Sequence, residues 1–374
     1  MKLKIVCLSS FLNHARHRKR INAFYDLGAS VKILAFERVF YPAKALRNKH
    51  ISLGKIQHGN YFSRLKHILS AVLKVRSEIK ESDILYVFDF DMMLLGLLAS
   101  FGLRTKIICE VGDVHNILLA KGLVPAVLRI IEKIIIRKID LLVVTSEAYV
   151  NGYYKGILGI TRLNYFVLEN KVDSNQMGRV TKEPAIKNDS IVIGYFGGLQ
   201  CADSWKVLKH VVKESKGKIL LYVRGLSYAF QSDLEKDAAS INGIEYGGPY
   251  VNPDELPEIY NKVDVVWAAH HHGKANILWA RANRFYESCY FRKPMIAQLD
   301  TEDGRIVDGL NIGVCIDLEK ISESVEKILN IAHADFSKWH DNLSLLPEKV
   351  YTYSNEYRKL FKEVGIKIMD KGSI

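Results

Sequence analysis

The segment HHHGKANILWARANRFYESCYFRKPMIAQ (270–298) holds the densest group of side chains able to grip a phosphorylated ligand. Asn283 is placed to cap a helix, Arg284 opens it, Glu287 lies one turn in, and Lys293-Pro294 ends it. A helix N-terminus presents unpaired N–H groups and a partial positive charge, so Arg281 and Arg284 beside it make a setting suited to a diphosphate. Glu287, one turn deeper, could accept hydrogen bonds from ribose hydroxyls. Upstream, a strand ends in Gly197-Gly198, a pair that allows positive φ and close approach of backbone to a phosphate. Arg224 and Lys274 could supply further positive charge, with Lys206 a third source. Three consecutive histidines (270–272) diverge in a loop and have no adjacent carboxylate. No metal site is expected from them, and His271 or His272 is expected near the phosphorylated ligand instead.

A second group lies in the first half. The stretch CEVGDVHN (109–116) sets Glu110, Asp113 and His115 at a strand's carboxyl end, where an acid or imidazole can orient or deprotonate an acceptor hydroxyl. Asp113 and His115 are the favoured pair. Asp89 is expected to face the same way, and Asp91 to cap the helix that follows. The run HARHRKR (14–20) opens the first helix, with Arg16 and Arg18 suited to a pyrophosphate-bearing acceptor. No GxGxxG follows either domain's first strand, and the chain has neither a Walker A motif nor a serine-nucleophile elbow. A nicotinamide dehydrogenase is therefore disfavoured.

The elements that must position these residues follow one rhythm. Aliphatic runs at 3–8, 31–36, 84–88, 106–110, 141–145 and 164–168 alternate with helical patterns at 14–27, 64–81, 92–101 and 124–138. Continuous Val/Ile/Leu strands between helices indicate a parallel sheet covered on both faces. A polar stretch at 173–190 reads as a linker, after which the pattern restarts. Strands are expected at 190–196, 219–223, 244–246, 263–267 and 295–298. Helices are expected at 204–215, 232–239, 254–261, 283–291 and 318–332. The fold class is α/β, two Rossmann-like doubly wound domains facing across a cleft: residues 1–180 and residues 188–350. Residues 351–374 form a C-terminal helix expected to pack toward the first domain. In such sheets ligands bind at the strands' carboxyl ends.

Charge divides the chain. Residues 1–186 hold 29 Lys/Arg against 15 Asp/Glu, whereas the remainder holds 24 against 26. A one-sided basic surface calls for a polyanion. The basic helical patterns near 66–80 and 128–138 place cations beside aliphatic stripes, which suits an anionic membrane surface. Aromatic residues do not interleave these patches as in nucleic-acid stacking platforms, so nucleic acid is not the expected partner. Five isolated cysteines without a CxxC pair fit a reducing compartment. The N-terminal apolar run is too short for a signal peptide, and Asp89 and Asp91 interrupt the longest apolar stretch. The expectation is a cytoplasmic protein on the inner face of the cytoplasmic membrane.

From Gly247, through PDELPEIYNKVDVVWAA, to NRFYESCYFRKPMIA, the chain resembles the donor-binding domain of family-4-like glycosyltransferases of GT-B fold. DGLNIGVCIDL (308–318), DLLVVTSEAY (140–149) and VLENKVD (167–173) resemble further stretches of that family. The resemblance implies a nucleoside-diphosphate-sugar donor held mainly by residues 188–350, an acceptor bound by residues 1–180, a retaining reaction, and neither metal nor cofactor. Glu287 matches the second glutamate of the family's E-x7-E motif, expected at the donor ribose; Trp279 stands where the first would fall. The implied function is sugar transfer to a lipid-linked saccharide in cell-surface polysaccharide synthesis. A nucleotide-sugar epimerase and a non-catalytic binding protein on the same frame are the alternatives.

Overall fold

A computed structural model describes residues 2–12, 14–37, 49–56, 61–177, 190–227, 229–270 and 274–366. The chain forms two compact units, Met1–Glu169 with Asn355–Ile374, and Asn170–Ser354. Both are three-layered α/β units on a parallel sheet, as the alternating pattern predicts.

The first unit is built on strands β1 (Lys4–Ser9), β2 (Ser30–Glu37), β3 (Ile51–Lys55), β4 (Ile84–Phe88), β5 (Lys106–Val111), β6 (Leu141–Val144) and β7 (Tyr165–Val167). They lie in the order β3-β2-β1-β4-β5-β6-β7. Between them run α1 (Ala15–Asp26), α2 (Tyr61–Ile79), α3 (Phe90–Ser100), α4 (Asn116–Leu119), α5 (Leu123–Ile136) and α6 (Glu147–Tyr149). α6 runs straight into a π-helix, Val150–Ile157. Every residue of β4 and of β6 is buried, the reason those runs are apolar without alternation. The order reverses direction at β1, which puts the ends of β1, β4 and β5 at a switch point.

The second unit contains β8 (Ile191–Gly198), β9 (Ile219–Leu226), β10 (Ile244–Tyr246), β11 (Val265–Trp267), β12 (Met295–Gln298) and β13 (Gly313–Ile316), in the order β10-β9-β8-β11-β12-β13. Its helices are α7 (Ala202–Glu214), α8 (Gln231–Ser240), α9 (Leu256–Asn261), α10 (Lys274–Trp279), α11 (Asn283–Tyr290), α12 (Glu302–Leu310), α13 (Ile321–Leu329) and α14 (His333–Leu345). Successive strand residues point to opposite faces, and both faces are covered. Tyr195, Val265 and Trp267 enter the core under α7 and α13, while Phe196 and Val266 enter the one under α9 and α11.

The chain returns to the first unit as α15 (Glu356–Glu363), where Tyr357 and Phe361 pack on Phe24 of α1. What fixes α15 there is a buried cation. Arg20, fully buried, donates to both oxygens of Glu110 (3.1 and 3.2 Å), to the carbonyls of Leu168 and Glu169, and to the Tyr357 hydroxyl. Glu110, equally buried, also accepts from Tyr86 at 2.5 Å.

Several details depart from the sequence reading. β3 lies within a loop the pattern left unread: it is a short, half-exposed edge strand containing Gly54, too weakly apolar to signal itself. The changeover between units falls at Glu169 and Asn170, and Val172 bridges to Thr352 inside the second unit. Of the expected linker, 173–177 therefore belongs to that unit, and 178–189 lies outside the described residues. α14 was not expected as a separate helix.

Replacing only one member of the Arg20–Glu110 pair strands the other in the core. Arg20→Met or Glu110→Leu should each lower the unfolding free energy by about 3–5 kcal/mol in denaturant titrations, and the double variant should recover most of that loss.

Candidate functional site

In the first unit, the cluster is built on α1, one turn before Arg20. Arg16 and His17 project to the end of β4, where Asp89 occupies the cap position of α3 with φ of 65°. Arg16 Nη2 donates to Asp89 Oδ1 at 2.8 Å, and its Nε lies 3.4 Å from Glu110. His17 Nε2 lies 3.3 Å from Asp89 Oδ2, and the imidazole stacks on Phe88. Burial would raise the Asp89 carboxyl, but Arg16 and His17 outweigh it and hold it well below the usual carboxylate range. A Cβ on Gly112 would sit 1.0 Å from Arg16 Nη1, so any side chain there would displace the guanidinium from this position.

This geometry corrects several expectations. Arg16 is buried against Asp89 and Glu110, so its guanidinium is already used within the unit and does not project as a phosphate ligand. Arg18, on the next face of the same helix, is half-buried. Glu110 is sealed in the core between Arg20 and Tyr86, which removes it from the acid–base candidates. Asp91 sits inside the first turn of α3, and Asp89 takes the cap position instead. Asp113 remains exposed at the end of β5, with the Tyr149 hydroxyl 3.5 Å from its Oδ1; His115, half-buried, stands at the cap position of α4. Ser9 Oγ, His17 and Asp89 lie in a row, Ser9 Oγ 2.9 Å from His17 Nδ1. Ser9 and His17 are buried, and Ser9 Oγ also accepts from the Phe11 N–H, so the row braces a loop and presents no nucleophile.

In the second unit, β8 and β9 meet through glycines at their carboxyl ends. Gly197 has φ of 96° and Gly225 has φ of 143°; a Cβ on Gly225 would lie 1.9 Å from the Gly197 carbonyl. The loop after β10 comes over this point, with the Tyr250 hydroxyl 3.8 Å from where a Gly197 Cβ would be. Arg224 holds that loop. It donates to the carbonyls of Gly248 (3.1 Å) and Pro249 (2.9 Å), to Glu255 (2.8 Å) and to the Tyr222 hydroxyl (3.2 Å). Its expected role as a diphosphate ligand is replaced by this clamp.

The loop and α11 meet at Glu287, which is nearly buried. Its Oε1 accepts from Asn252 Nδ2 at 3.2 Å and its Oε2 from the Tyr260 hydroxyl at 3.0 Å. A carboxylate has about four acceptor directions, so two remain for a hydroxyl-bearing ligand. Tyr250 lies in the same field; burial, then the charge of Glu287, pushes its hydroxyl pKa up, keeping it a proton donor. Arg284 donates to the Trp267 carbonyl at 3.0 Å and lies over the Tyr195 ring. Gly197, Tyr250, Asn252, Arg284 and Glu287 thus surround the ends of β8 and β11. Tyr250 and Asn252 were missed by sequence reasoning; the GGPYVNP stretch carried a turn signal but no chemical one.

The start of α11 differs from expectation. Ala282, not Asn283, holds the cap position, and exposed Asn283 is the first helical residue. The carboxylate of Asp303, from α12, accepts from the Ala282 N–H at 3.1 Å and takes the place of a local cap. Arg281 pairs with Glu302 at 3.1 Å, its guanidinium over Phe285. Two acids therefore already face the helix start. Lys206 pairs with Asp203 on the surface. Lys274 opens α10, but its side chain, like the whole of His271 and His272, lies outside those described. Among the described residues no group of three His, Cys, Asp or Glu side chains could hold a metal ion, and no helix is long and apolar enough to cross a membrane.

Solved structures resemble the chain in fold over nearly its whole length. HepE of Anabaena, in complex with UDP and glucose, matches with a TM-score of 0.72 at 12% identity, covering 97% of this chain and 99% of that one. The fold is GT-B. The lipopolysaccharide outer core galactosyltransferase WaaB (TM-score 0.66, 14% identity) covers the same shares of the two chains. Sucrose-phosphate synthase from Thermosynechococcus elongatus matches at 0.68 and 12%, over 96% of this chain and 100% of that one. In sequence, the chain is 27% identical over 349 residues to succinoglycan biosynthesis protein ExoL of Rhizobium meliloti (strain 1021), covering 89% of this chain and 86% of ExoL. No protein-family model matches the chain. The strand order of each GT-B unit accounts for the position of both clusters, at the carboxyl ends of the parallel strands.

Asp303 yields a test by pH. Burial raises its pKa to about 7, with the Ala282 N–H, Arg281 and Arg284 opposing. Its folded value therefore lies above its unfolded one, and its contribution is full below pH ~4 and lost as pH rises through ~7. Asp303→Asn, which keeps an acceptor for the Ala282 N–H, should gain on the wild type by a few kcal/mol between pH 4 and pH 8 in denaturant melts.

Proposed function

We propose that the chain is a glycosyltransferase that moves a sugar from a nucleoside-diphosphate-sugar to a lipid-linked saccharide in the assembly of a cell-surface polysaccharide. The observation that carries this reading is Glu287, held by Tyr260 and by Asn252 of the loop that passes over the glycine junction of β8 and β9. The remaining acceptor positions of Glu287 suit the ribose hydroxyls. Arg284, and the close backbone approach that Gly197 and Gly198 allow, suit the diphosphate, whose negative charge grows as the bond to the sugar breaks. The binding of UDP and glucose by HepE, and the role of ExoL in succinoglycan biosynthesis, support a nucleotide-sugar and a polysaccharide in turn.

On this reading Asp113 and His115 orient the acceptor hydroxyl, and Asp89 keeps the loop ends of β1 and β4 in register beside them. Configuration at the anomeric carbon is retained, and no resident metal takes part; activity that survives a chelator would agree, and activity lost to it would not. The basic first unit faces the anionic inner surface of the cytoplasmic membrane, where a lipid-linked acceptor resides, and the near-neutral second unit holds the donor. Nucleic acid is not a partner.

Thermal shift across a panel of nucleotide sugars tests the donor site. Glu287→Ala should abolish donor-induced stabilisation and lower turnover about 100-fold or more, with the donor-free unfolding midpoint measured alongside to separate binding from folding. Undiminished transfer by this variant would remove the assignment.

A further inference from the structure

α5 turns an apolar stripe outward. Its buried side is formed by Pro125, Glu132, Ile135 and Ile136, whereas Leu123, Val127, Ile130 and Ile134 are all more than half exposed. Their spacing of four, three and four residues traces one line along the helix. Such a line on a helix's outer face is normally polar. The single acid of α5, Glu132, points inward to the Tyr153 hydroxyl, so its outer face carries no carboxylate.

Neighbouring helices add further exposed apolar side chains. α3 packs against both α5 and α2. Phe101, directly after α3, is 83% exposed, and Leu73 of α2 is 78% exposed. Arg76 of α2 donates to the carbonyls of Ala99 and Phe101, fixing the end of α3 while the Phe101 ring stays outside. Exposed Lys121, Arg137 and Lys138 flank the two ends of α5, and Arg104 stands beside Phe101.

We infer that α5, with the outer edges of α2 and α3, is a membrane-insertion face that sinks its apolar stripe into the headgroup–acyl boundary of an anionic bilayer. A second copy of the chain fits the same patch poorly, because pairing it with itself would bring two strongly basic halves together. An anionic lipid surface instead meets the flanking cations while the stripe enters the apolar layer. The inference rests on the membrane half of the proposed function and not on donor chemistry, so vesicle binding and sugar transfer can fail separately.

Co-sedimentation with vesicles of phosphatidylcholine alone, and of phosphatidylcholine with phosphatidylglycerol, tests it. The full chain should bind the phosphatidylglycerol vesicles at low salt and keep part of that binding at molar salt, since burial of apolar surface is not screened. Val127→Asp with Ile130→Asp, both at exposed positions, should cut partitioning about tenfold or more while the unfolding midpoint stays unchanged. Wild-type-like binding by that variant, or complete loss of wild-type binding at molar salt, would overturn the insertion. So would a wild-type dimer in size-exclusion chromatography that the same double variant splits into monomers.

Discussion

The first unit depends on a charge that cannot be exposed without unfolding it. Arg20 is buried on α1 and satisfied by five acceptors from three elements: Glu110 on β5, the carbonyls leaving β7, and Tyr357 on α15. An unpaired guanidinium in such a setting is strongly unfavourable, so the positions of those elements are fixed together. Arg16 and His17 share the helix face of Arg20, one turn earlier, and inherit its placement. Through them the end of β4, with Asp89 in its unusual backbone conformation, is held against the end of β5. The positioning of Asp113 and His115 thus begins from a core interaction that touches neither.

The second unit reaches a similar end by other means. There the loop after β10 is braced by Arg224, which spends its donors on two carbonyls, a carboxylate and a phenol. The loop then delivers Asn252 to Glu287. Glycine contacts between β8 and β9 keep the floor low beneath it. In both units an arginine near a strand or helix end organises backbone, and the polar groups left over define the candidate site.

This explains what was legible in the sequence. Strands with both faces buried must be apolar throughout, so β1, β4, β6 and β8 announced themselves, and with them the doubly wound architecture. Glu287 was legible because its spacing from the helix start carries a chemical meaning. The arginines were not. Arg16 and Arg224 have the same local context as ligand-binding arginines, and the partners that consume them, Asp89 and Glu255, lie 73 and 31 residues away. Asp303 likewise displaces Asn283 as the cap of α11 from beyond a whole strand. β3 escaped notice for a different reason: an edge strand with one neighbour needs little apolar content.

The first unit is discontinuous, because Asn355–Ile374 belongs to it while Asn170–Ser354 does not. During synthesis the second unit is an uninterrupted stretch of chain and can close as soon as it emerges. The first cannot. Its sheet is complete by β7, yet the Tyr357 hydroxyl that Arg20 needs, and the aromatic pair that covers Phe24, are made only after the whole of the second unit. The unit that is begun first is therefore closed second, and Phe24 of α1 waits for its cover from α15 until all of Asn170–Ser354 has been made.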